Sequence, residues 1–205
     1  MNYLIEEAFA SIHQVITIGK LHLPSGKVVA CDPYFCGSAV PFLRKVNPGN
    51  YEVQLRTANS QEWGMRIALA RIVFAPGKKA MTLEKATMEF TDSNGYFVDS
   101  GIGSFMDELT SHALAEVFAE FYRTRPTGNY YTDVLAAEFK KNAISPHDPS
   151  DIGKWNLHYL PNSEMNVAMF ASGLGDGFFE SFWGLDEDGE VIYLVTDFKI
   201  LEESS

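Results

Sequence analysis

The chain has 205 residues, 46% hydrophobic and 21% charged, with a net charge of −11. That composition buries a core and excludes a disordered chain. The acidic balance sets it against nucleic acid, and no apolar run approaches the roughly 18–20 residues that span a bilayer. At the N-terminus, Glu6 and Glu7 stand where a secretory signal would carry Lys or Arg. Cys31 and Cys36 make no disulfide framework. These features lead us to expect a cytoplasmic protein with no membrane or nucleic-acid partner, whose charge suits a basic protein partner.

In chain order, Leu4, Ile5, Phe9 and Ile12 recur at helical spacing, which predicts a short helix over Tyr3–His13. In LHLPSGKVVA, Pro24-Ser25-Gly26 divides two apolar runs and predicts a hairpin. DPYFCGSAVPF reads as a loop because Pro33, Gly37 and Pro41 interrupt any ladder. Three strands are expected next, in YEVQLRTA, MRIALARIVFA and ATMEF, before Ser93-Asn94-Gly95 turns into GYFVDSG.

The centre is helical. Leu109, Ala113, Leu114, Val117, Phe118 and Phe121 lie at three- and four-residue spacing over Asp107–Arg123, and Pro126 follows. A second helix is expected over Thr132–Asn142, with Leu135 and Phe139 on one face and Lys140 and Lys141 in its last turn. Beyond the loop ISPHDPSDIG, WNLHYL, NVAMFA, FFESFWGLD and EVIYLVTDF read as strands, the last two joined by a turn at Asp188-Gly189. Strands, then two helices, then strands is the order of an α+β fold. We expect mostly antiparallel sheet with two central helices packed on one side, in one domain over 1–205. If the chain divides, the seam is 143–153.

Candidate chemistry is sparse. SGLGDG, Ser172 to Gly177, could present backbone N–H groups to an anion and Asp176 to a cation. It lacks the lysine and following helix of a phosphate loop, so a turn with positive-φ glycines is the simpler reading. DEDGE, Asp186 to Glu190, has its glycine at the fourth position between strands, which suits a hairpin turn better than a calcium loop. Asp99 and Asp107 could form a carboxylate pair, although an N-cap explains Asp107 and a turn explains Asp99. Ser104 follows the second glycine of GIGSF and so is not a nucleophile elbow. Cys31 and Cys36, with only His13 and His22 near in sequence, read as two buried, quiet thiols. His112 is a lone histidine on a helix.

The segments GKLHLPSGKVVACDP, PGNYEVQL, RIALARIVF, GYFVDSGIGSFMD and FASGLGDGFFESFWGLDEDGEVIYLVTDF together resemble a bacterial family, domain of unknown function 4241. The likeness spans roughly Gly19 to Phe198. Its most specific part is S-G-x-G-D-G followed by an aromatic pair and a closing T-D-F. Leu174 departs from that pattern, which has an aromatic after the first glycine. The resemblance implies a small cytosolic protein. Its acidic, β-rich style is similar to immunity proteins of bacterial toxin systems.

Two functions are therefore expected in turn. The leading one is a protein-binding module, an immunity protein covering a basic toxin domain, with Asp176, Phe178, Phe179, Glu180, Asp186 and Asp188 at the interface. The rival is an enzyme or ligand-binding domain with a pocket of Asp99, Asp107, Gly175, Asp176 and Asp197, dependent on a divalent cation. No catalytic residue, dedicated metal site or cofactor is assigned, and the oligomeric state is open.

Overall fold

Alternation of side chains along three short strands decides the architecture. The computed structural model describes residues 2–10, 15–148 and 151–201. In β2 (Val28–Cys31), Val28 and Ala30 enter one apolar cluster while Val29 and Cys31 enter another. The same division separates Phe105 from Met106 in β7 (Ile102–Asp107), and Ala168 and Phe170 from Val167 and Met169 in β9 (Asn166–Ala171). A sheet with apolar residues on both faces must be a middle layer. With β8 (Trp155–Tyr159) it forms the antiparallel order β2-β7-β9-β8.

Against one face lies a larger antiparallel sheet. It is built from β1 (Val15–Leu23), β3 (Gly49–Ser60), β4 (Gly64–Val73), β5 (Thr82–Lys85), β6 (Gly95–Val98), β10 (Gly177–Leu185) and β11 (Val191–Asp197). Its order is β1-β3-β4-β11-β10-β5, and β6 extends the β5 edge by pairing with the start of β10. Phe105, Phe170, Phe198 and Phe179 form a chain of ring contacts at 5.0 to 5.9 Å between the two sheets. Helix α1 (Asn2–Ala10) buries Ile5, Ala8 and Phe9, and Phe9 lies under the Arg71 guanidinium at 3.8 Å. Ile12 and His13, at the end of the expected helix, lie outside the described residues.

The other face of the middle sheet is covered by α2 (Glu108–Thr124), a π-helical turn at Tyr131–Leu135, and α3 (Ala136–Lys141). Leu114, Phe118, Leu135 and Phe139 pack there with Val29, Met106, Val167 and Met169. The expected α+β class, with two helices on one side of antiparallel sheet, is what the chain forms. Both sheets draw strands from before and after the 143–153 loop.

Several local expectations need correction. Pro24-Ser25-Gly26 is not a hairpin: β1 and β2 belong to different sheets, and the turn carries the chain across the sandwich. Gly26 is required there, with φ +71 and the Val46 carbonyl where a side chain would start. ATMEF is not a strand. The strand is Thr82–Lys85, and Met88 makes only an isolated bridge to Phe42. DPYFCGS is a 3₁₀ helix over Pro33–Ser38, because Asp32 caps it and Pro33 fits its first position. Leu109 is exposed; Thr110, Leu114 and Phe118 carry the buried face of α2.

Candidate functional site

The carboxylate that organises the chain, Asp32, is not among the candidates its sequence motifs mark. Asp32 is 1% exposed and accepts three backbone N–H groups, from Tyr34 at 3.0 Å, Asp99 at 3.0 Å and Ser100 at 2.8 Å. It thereby caps the 3₁₀ helix and pins the 99–101 turn between β6 and β7 against it. The available signal was the Asp-Pro pair itself, an N-cap followed by proline at N1.

A cavity opens on each side of this pinned junction. One, of about 610 Å³, lies where the middle sheet ends beneath α2 and α3. Its walls include Tyr34, Tyr122, Tyr131, Phe139, Gly101 and Lys154. The other, of about 460 Å³, is lined by Asp32, Phe35, Val40, Tyr96, Phe97 and Asp99.

Beside the second cavity, β6 and β10 present aromatic side chains to solvent. Phe97 and Phe178 stand directly opposite in the ladder with ring centroids 4.9 Å apart, and Phe97 is 77% exposed. Phe35 is 56% exposed, and Leu174, in the turn before β10, is 53% exposed. Asp99 and Asp176 are both exposed at the ends of these paired strands, where Val98 opposes Gly177. Large apolar side chains gathered on a surface mark interaction sites more often than singly scattered ones do.

The structure brings some of the sequence-derived residues together and separates others. Asp176 and Phe178 lie at this aromatic edge, and Glu180 is half-buried two residues further along β10. Phe179 points the other way, 6% exposed, against Phe198 in the core. Asp186 and Asp188 belong to the far end of β10, about 26 Å from Phe178 at ~3.3 Å per residue. There Asp186 accepts the backbone N–H groups of Asp188 and Glu190 and pairs with Lys78 at 2.9 Å. The Lys78 ammonium, and next the Glu190 amide, hold its carboxyl below the usual range. DEDGE is thus a hairpin turn whose leading carboxylate is occupied by its own backbone and one lysine.

The rival pocket does not assemble as a set. Asp99, Gly175 and Asp176 do neighbour one another, since the 99–101 turn meets SGLGDG through the Ser172 N–H to Gly101 carbonyl bond. SGLGDG itself is a turn, with Gly173 and Gly175 at positive φ and the Ser172 hydroxyl donating to the Gly175 carbonyl. Asp107, however, is 0% exposed at the opposite end of β7. It caps α2 by accepting from Leu109 N, and it also accepts from the Ser25 N–H and hydroxyl. Asp197 accepts from Lys199 N and stands opposite Glu180 across the β10–β11 ladder. Among the described residues no three His, Cys, Asp or Glu side chains converge as metal ligands do.

The remaining candidates are structural. Ser104 is buried and donates to the Cys31 carbonyl at 2.7 Å. Cys31 and Cys36 are free buried thiols; burial raises both pKa values, that of Cys36 to about 11. Because the thiolate is the reactive form, Ellman's reagent at pH 8 should find neither thiol in the native protein. Both should titrate once guanidinium unfolds it, and fast native reaction would refute this assignment.

A second polar feature had no sequence signal because its members are far apart in the chain. His158, 3% exposed, contacts Glu138 through Nδ1 at 2.9 Å and the Tyr130 hydroxyl through Nε2 at 3.2 Å. A carboxylate can only accept, so Nδ1 carries the proton, and in the neutral ring Nε2 accepts from tyrosine. Asn156 donates to the same Glu138 oxygen. The network ties α3 and the start of the π-helical turn to β8.

Fold and site together define an α+β protein, a sandwich of two sheets with α2 and α3 on one outer face and an aromatic, acid-flanked edge. The chain belongs to the family described as Protein of unknown function (DUF4241), whose model matches residues 21–196. No curated protein and no solved structure matches it. Among the described residues no helix is long and apolar enough to cross a membrane.

Proposed function

We propose that this protein works by binding a basic protein partner through the edge formed by Phe97, Phe178 and Phe35, with Asp99 and Asp176 at its margin. An immunity protein of the cytoplasm, covering the active site of a cationic toxin, is the form of this function that best suits the chain. The observation that carries the reading is the Phe97–Phe178 pair, held opposite on paired strands yet open to water. Aromatic anchors ringed by charge are what interface hot spots are made of. The net charge of −11 favours a cationic partner and speeds its encounter. This reading keeps Asp176 and Phe178 from the sequence expectation, and leaves Asp186 and Asp188 outside the contact.

The test is co-expression with the products of adjacent genes, followed by calorimetry on any purified complex. A neighbour should bind, and Phe97→Ser with Phe178→Ser should weaken it by about 100-fold, the roughly 2 kcal/mol or more of a hot spot. Added salt should slow association. The proposal is abandoned if no neighbour binds, or if binding is indifferent to both phenylalanines.

A further inference from the structure

The cavity beneath α2 and α3 is a different site, separated from the aromatic edge by the turn that Asp32 pins. We propose that it binds a small, flat ring compound bearing one carboxylate, with the Lys154 ammonium pairing the acid and the tyrosine-rich wall holding the ring.

Three observations carry this. First, about 610 Å³ falls within the roughly 300–1,000 Å³ of small-molecule pockets. Second, the wall is aromatic: Tyr34, Tyr122, Tyr131 and Phe139 come from the 3₁₀ helix, α2, the π-helical turn and α3, and converge on one space. Aromatic walls favour a planar apolar body through offset or edge contacts. Third, among the described residues Lys154 is the one charged residue lining the cavity, although carboxylates outnumber cations in the chain, 27 to 16. Among the described residues no carboxylate comes within ion-pair distance of its ammonium. The cavity is thus locally cationic on an acidic protein.

The chemistry narrows the ligand further. A lone ammonium is a point charge suited to a monoanion, whereas phosphate sites draw on several N–H donors or a guanidinium fork. Partial burial, then the nearby Arg66, lower the Lys154 pKa, with Asp151 opposing them. A bound carboxylate would reverse that destabilisation of the charged form.

The probe is 2-naphthoate, with 2-naphthamide as its uncharged counterpart, titrated into the full chain by amide NMR and calorimetry. Naphthoate should shift the Gly101, Gly153 and Lys154 amides saturably and bind about tenfold more tightly than the amide, a difference of ~1.4 kcal/mol. Lys154→Met, which keeps the apolar stem, should abolish the difference between the two probes; Lys154→Arg should retain it. Equal binding of acid and amide to the unaltered chain overturns the proposal, as do shifts confined to other residues. If Lys154→Met fails to fold, the acid–amide comparison and the Lys154→Arg variant still decide. Phe97→Ser and Phe178→Ser should leave naphthoate binding unchanged, so failure of the partner reading is distinguishable from failure of this one.

Discussion

Asp32→Ala is expected to lower unfolding free energy by about 3–5 kcal/mol, measured by urea denaturation. The reason is the number of donors it would orphan. Three amides, on Tyr34, Asp99 and Ser100, converge on a carboxylate that water hardly reaches. A hydrogen bond to a charged group contributes about 1.5–3 kcal/mol, and a buried donor left unmade costs about 1–3 kcal/mol, though neighbouring bonds do not add fully. Against a total of about 5–15 kcal/mol for a typical domain, the loss approaches the limit of folding. Asp32→Asn is the informative companion. Its single carbonyl oxygen can keep either the Tyr34 contact or the Asp99–Ser100 pair, but not both, so its loss should be intermediate. Amide shifts in that variant should spread into both cavities, because the pinned turn forms a wall of each. An alanine variant within about 1 kcal/mol of the parent would show that water satisfies these amides, and that the junction is not built on this carboxylate.

The elements legible in the sequence are those whose pattern is local. The β8–β9 and β10–β11 hairpins pair as their apolar runs suggest, because each ladder lies next to its own turn. Asp107 is the helix cap its position suggested. What escaped was long-range. The strand β7 is interrupted by Gly103 and Ser104, so it carries little β signal, yet it lies between β2 and β9 in the middle sheet. Its glycine is there because Phe170 and Tyr96 pack where a side chain would go. The PSG turn looks like a hairpin locally. Only the partners of β1 and β2, which lie in different sheets, make it a crossover.

The candidate site was half legible for the same reason. Alternation along FFESFW states that Phe178 and Phe179 face opposite ways, but not which of them faces water. That is settled by Phe198 arriving from β11 to enclose Phe179, and by Phe97 arriving from β6 beside Phe178. Carboxylates in Gly-rich turns mislead similarly. Asp186 attracts attention as a potential ligand, yet its lone pairs are taken by its own turn and by Lys78 from another strand connection. The cavity under the helices had no sequence signature, since its wall is gathered from seven separate stretches of chain.

Gly153→Ala is expected to destabilise the protein by about 2–5 kcal/mol and to damage the helix-side cavity, and Gly64→Ala separates the two causes. Both glycines have positive φ, +81 and +65, where a Cβ costs roughly 1–2 kcal/mol by local sterics alone. Nothing lies within 4 Å of a Cβ on Gly64, so that variant should show only this strain. At Gly153 the added carbon would overlap the Phe139 carbonyl oxygen, a backbone atom with no rotamer through which to retreat. That carbonyl accepts the Asn142 N–H at 2.9 Å where α3 ends, so relieving the overlap means breaking the helix terminus or moving the strand entry. Overpacking of this kind adds about 1–3 kcal/mol to the conformational strain. Gly153, Phe139 and Lys154 share the cavity wall, so the same displacement should weaken naphthoate binding, whereas Gly64→Ala should leave it intact. If the two variants lose equal stability, the Phe139 contact contributes nothing and α3 is not seated against residue 153 in the way described.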